Sequence, residues 1–108
     1  MNIGKAAQKT GVSMKMIRHY ESIGAIPRPA RSQSGYRNYE AADIERLRFI
    51  GRARSAGFSI ADIKKLTSLW QDRRRPAREV KRIALVHLGQ INARIEELKI
   101  IAGALSHL

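Results

Sequence analysis

Lys15, Arg18, His19 and Tyr20, in the stretch TGVSMKMIRHYE, bring together side chains that donate to phosphates and to base edges. On a helix, Lys15, Arg18 and His19 stand at i, i+3 and i+4 and share one face, and Ile17 falls away from it. A cationic ridge backed by an apolar side is the arrangement that enters a major groove. Tyr20, near the end of the ridge, either reaches a phosphate or sits in a core. A second cationic group follows: Arg28, Arg31 and Arg37 lie beside Tyr36 on PRPARSQSGYRNY, residues 27–39. These are donors that fix a protein's register on a duplex without reading its sequence. The competing readings are a solvated basic helix and a polar loop pinned to the core by Tyr36 or Tyr39.

Other chemistry has little to build on. There is no glycine-rich phosphate loop, no nucleophile with a credible base, and no pair of carboxylates set apart from helix surfaces. His19, His87 and His107 lack metal-ligand spacing, and with no cysteine there is neither a disulfide nor a thiolate site. The expectation is therefore no enzyme, no metal site and no cofactor within this chain.

The elements that must carry these residues follow from local signals. Asn2 caps a short first helix on Ile3, Ala6 and Ala7, and Gly11 stops it. Ser13 caps the second, with Val12 and Ile17 as a hydrophobic staple. Helix, tight turn, helix is the predicted start, followed by a small β-hairpin or wing over residues 27–39. A third helix is expected from about Ala41 to Ala56, with Ile44, Leu47 and Ile50 inward and Arg54 among the arginines outside. Gly57 ends it. Ser59 with Asp62, and Phe58 with Ile63, start a fourth helix reaching Trp70, which reads as a packing residue rather than a ligand platform.

Within the basic stretch RRRPAREVKR, Pro76 suits the first turn of a last helix. Along it Ala84, Leu88, Ile91, Ile95, Leu98, Ala102 and Leu105 recur in steps of four and three, a coiled-coil seam. A helix of about 32 residues is ~48 Å long, more than a small domain covers by itself. A homodimer through this seam is expected. The division is a DNA-binding domain over 1–72 and a dimerisation helix over 73–108.

Composition agrees with a polyanionic partner. Twenty-one Lys and Arg against nine Asp and Glu leave a net charge of +12 in 108 residues. No apolar run approaches the ~20 residues that cross a bilayer. A cytoplasmic protein without a membrane partner is expected, and an amphipathic helix seeking anionic membranes is the weakest alternative.

The motifs Ile17-Arg18-x-Tyr20-Glu21, Gly35-Tyr36-Arg37-x-Tyr39 and Ala53-x-x-x-Gly57-Phe58-Ser59, with the long terminal helix, resemble the MerR family of transcription regulators over essentially the whole chain. The resemblance is closest to the copper- and heavy-metal-responsive branch. It implies a mainly α fold, a winged helix-turn-helix dimer whose long helices pair antiparallel. It also implies a palindromic operator in an overlong promoter spacer, which the protein distorts so that RNA polymerase engages both promoter elements. By the same resemblance Lys15 and Arg18, with His19 and Tyr20 beside them, meet the major groove; Arg31, Tyr36 and Arg37 clamp phosphates from the wing; Arg54 adds a backbone contact.

The departure concerns sensing. The metal-responsive branch uses cysteines in a loop after the dimer helix, and this sequence has none up to Leu108; Ala77 stands where the branch places a Ser or Cys. Three readings follow: a C-terminal tail carries the sensor, and only then does a metal such as Cu(I) bind; the regulator has no effector; or the dimer interface senses something else. The rival function is an architectural DNA-bending protein similar to recombination directionality factors.

Overall fold

The computed structural model describes residues 1–29, 35–71, 74 and 76–108. Local capping chemistry sets each boundary. Asn2 accepts the Lys5 amide through its side-chain oxygen at 2.9 Å and starts α1, Ile3–Thr10. Gly11 closes α1 with φ of 74°, a left-handed conformation that a β-carbon disfavours, and its N–H donates to the Ala7 carbonyl at 2.9 Å. After Val12, Ser13 Oγ accepts the Met16 amide at 3.1 Å and opens α2, Met14–Ser22. The staple forms as expected, with Val12 and Ile17 both in the core.

α3, Ala41–Ser55, starts where the Glu40 amide donates to Asp43 Oδ2 at 2.9 Å. α4, Ile60–Gln71, starts where Ser59 Oγ accepts the Asp62 amide at 3.1 Å. The core they share holds Ala6 from α1, Ile17 and Tyr20 from α2, Ile44, Leu47 and Ile50 from α3, and Ile63 from α4. Ala25, Ile26 and Tyr39, from the segment joining α2 to α3, complete it. Gly51 permits the close approach of α3 to the α1–α2 turn: a β-carbon there would stand 3.3 Å from Val12 Cγ2.

The expected hairpin is only partly within view. Over 35–39 a single bridge residue, Arg37, appears, and no strand occurs among the described residues; Arg31 lies outside them. Residues 38–39 are fastened to the N-terminus by hydrogen bonds. The Tyr39 amide donates to the Met1 carbonyl at 2.7 Å, and the Met1 ammonium donates to Asn38 Oδ1 at 2.7 Å and the Tyr39 carbonyl at 2.8 Å.

The chain divides into two compact units, Met1–Asp72 and Arg73–Leu108. The second is built on α5, Ala77–Ser106, with Pro76 at its N-cap. Its 30 residues rise to about 45 Å. None of its residues is buried, and Leu88, Ile95, Leu98 and Leu105 stand 43–62% exposed. Ala84 and Ala102 are exposed beside them and Ile91 is half-buried.

Candidate nucleic-acid interface

The two sides of α2 have opposite characters. Ile17, Tyr20 and Glu21 are buried, and Lys15, Arg18 and His19 are exposed. The i, i+3, i+4 cationic ridge therefore points outward because the apolar side of the same helix is committed to the core. Tyr20 corrects the sequence reading that placed it on the DNA face. Three residues after Ile17, it turns inward with it and is 3% exposed, its ring tilted against His19 at a centroid separation of 6.0 Å.

The segment before α3 divides its two tyrosines. Tyr36 is 75% exposed and presents its phenol to solvent, whereas Tyr39 is 1% exposed and pins the segment to the core. Arg28 is exposed at the segment's start and Arg37 half-buried near its end. Arg37 Nε lies 2.9 Å from Glu21 Oε2, an ion pair that the sequence reading did not foresee. The Tyr39 hydroxyl donates to the other oxygen of the same carboxylate, Oε1. Burial, this hydrogen bond and the Glu21 charge hold the Tyr39 phenol protonated far above its ordinary range, against the opposing pull of Arg37 and Arg18. No local pattern announces such a network: a glutamate near the end of a basic helix reads as surface charge.

Arg54 is exposed, and its Nη1 donates to the Phe58 carbonyl at 3.1 Å, tying the last turn of α3 to the start of α4. Arg48 Nε reaches the Lys9 carbonyl at 3.3 Å, at the end of α1. On the outer side of α3, Arg46, Arg48 and Arg52 border an open depression of about 530 Å³ floored by Phe49 and Trp70. The Trp70 indole meets Phe49 edge-on at 4.8 Å yet remains 48% exposed, so it packs on one face only.

A thiophilic metal does not fit this donor set. The sequence contains no cysteine, Ala77 at the head of α5 offers no ligand atom, and no cluster of three His, Asp or Glu side chains occurs among the described residues.

Family models agree with this architecture in two overlapping parts. Residues 1–69 match the MerR HTH family regulatory protein and residues 44–108 match MerR, DNA binding. The chain belongs to the MerR family of transcriptional regulators. Over its full 108 residues it is 45% identical to heavy metal-dependent transcription regulator 2 of Rhizobium meliloti, covering 74% of that protein. Among solved structures it is similar to HiNmlR, a MerR family regulator lacking the sensor domain and bound to promoter DNA. The TM-score is 0.79 at 25% identity, over 98% of this chain and 84% of that one. It is also similar to a lead(II)-bound transcription regulator from Ralstonia metallidurans, with a TM-score of 0.62 at 30% identity over 97% and 82% of the two chains. This MerR-family chain is a DNA-binding transcriptional regulator and not an enzyme. No helix among its described residues is long and apolar enough to cross a membrane.

Proposed function

We propose that the chain acts in the cytoplasm as a homodimer on a palindromic promoter operator, with α2 of each protomer in a major groove and residues 27–39 on the flanking phosphates. The dimer forms through α5 along Ala84, Leu88, Ile91, Ile95, Leu98, Ala102 and Leu105. Bound there, it deforms the duplex and so changes how RNA polymerase engages the promoter. The observation that carries this reading is the two-sidedness of α2, whose exposed Lys15, Arg18 and His19 are backed by buried Ile17 and Tyr20.

In this reading Lys15 and Arg18 discriminate bases, with His19 beside them, and Arg31, Tyr36 and Arg37 hold phosphates. Arg54 holds the α3–α4 turn through Phe58 and offers its remaining donors to the backbone. Residues 1–72 bind DNA and residues 73–108 dimerise. Response to a metal such as Cu(I) needs thiolates that these residues do not contain, so it belongs to the proposal only through a cysteine-bearing segment beyond Leu108.

In vitro transcription from a promoter carrying a site the protein selects tests the proposal. The expected result is a change in transcript level that disappears when the half-site spacing is altered. Tight binding with no effect on transcription would favour an architectural DNA-bending protein instead.

A further inference from the structure

Three polar or charged residues are buried among the described ones: Glu21, Asp43 and Thr67. Two are explained by their own helices. Asp43 accepts the Glu40 amide and pairs with Arg46 at 3.7 Å, and the Thr67 hydroxyl donates to the Lys64 carbonyl at 3.2 Å. Glu21 differs, because both of its partners come from the segment before α3. A carboxylate with 2% of its side chain exposed is expensive to hold unless paired and hydrogen-bonded, and here Arg37 and Tyr39 do both.

We propose that Glu21 is a positioning residue for DNA binding, clamping Arg37 and Tyr39 onto the end of α2 so that helix and wing meet the duplex as one preset surface. The inference rests on the reading of α2 and residues 27–39 as the DNA face. Its physical basis is the ion pair, in which an Nε–Oε2 separation of 2.9 Å tethers the half-exposed Arg37 guanidinium to a buried carboxylate. An arginine already held loses less rotamer freedom when it meets a phosphate.

Glu21→Gln separates positioning from bulk charge by sign. It keeps the side-chain shape and makes the protein more positive, so charge alone would strengthen binding to DNA. Positioning demands the reverse: affinity about tenfold weaker, as for loss of one charge-assisted hydrogen bond, and a salt slope shallower by about one per protomer. The assay is fluorescence anisotropy across a salt series, on a duplex the wild type selects from a randomised pool, at a temperature where melting curves show the variant folded. In the Arg37→Lys background Glu21→Gln should no longer weaken binding, because the guanidinium that Glu21 positions is gone and only the added positive charge remains. Glu21→Asp keeps the charge but shortens the reach, and it carries the test where Gln does not fold: the same shallow slope is expected. A folded Glu21→Gln or Glu21→Asp protein with the wild-type slope and affinity would overturn the proposal. Failure of the wild type to select any duplex would instead overturn the DNA-face reading itself.

Discussion

Replacing Ile17 by alanine probes the buried side of α2, opposite Lys15, Arg18 and His19. Ile17 is fully buried, with Val12, Tyr20 and Leu47 among the residues of the same core. Three carbons are removed, worth about 2.4 kcal/mol at ~0.8 kcal/mol each. The cavity left in a close-packed site raises the loss to about 3 kcal/mol, within the usual range for such truncations. A unit the size of Met1–Asp72 has about 4–10 kcal/mol of stability in all. A loss of 3 kcal/mol corresponds to a fall in melting temperature of about 12–24 °C. Trp70 is the sole tryptophan and lies on α4, so its fluorescence follows this unit, whereas far-ultraviolet circular dichroism is weighted by the 30-residue α5. The expected outcome is a large downward shift in the Trp70 transition. A loss under 1 kcal/mol would mean that Ile17 is not in the core, and the outward direction of Lys15, Arg18 and His19 would lose its support.

Leu88→Glu combined with Leu98→Glu places charges on the exposed seam of α5 and should convert the protein from dimer to monomer in sedimentation velocity; an unchanged dimer would refute the seam. Tyr39 gives a pH prediction with a definite sign. Its folded-state ionisation lies above the ordinary value of 10.0, so the stability it contributes is complete below that value and is lost as pH rises above it. Tyr39→Phe should therefore flatten the alkaline decline in urea-denaturation midpoint, and a decline of wild-type steepness in the variant would contradict the assignment.

Much of the fold was legible because its signals are local. Asn2, Gly11, Ser13 and Ser59 act within a few residues of themselves, so the helix boundaries follow from the sequence to within a residue or two. The ridge of Lys15, Arg18 and His19 was equally readable, since helical spacing alone puts the three on one face. The direction in which a side chain at the margin of that face turns is a tertiary matter. Tyr20 was drawn onto the DNA side by its neighbours and proved to be core. Glu21 carried no signal because its partners, Arg37 and Tyr39, are distant in sequence and meet it only after the segment before α3 folds back. Trp70 shows the same limit in milder form: its place at the end of an apolar series gave packing, and the structure adds that its other side is open.

The central claim is that the exposed side of α2 reads base sequence. It is tested most directly by measuring, for the wild type and for Lys15→Ala and Arg18→Ala, the ratio of affinities for the selected duplex and for one with both half-sites scrambled, at a single fixed salt concentration. The account predicts that each substitution lowers this ratio roughly 5- to 150-fold, equivalent to about 1–3 kcal/mol of discrimination, with specific binding falling much more than non-specific binding. An unchanged ratio in folded Arg18→Ala protein, with both affinities reduced in parallel, would contradict it, because Arg18 would then be holding phosphates and the bases would be read elsewhere.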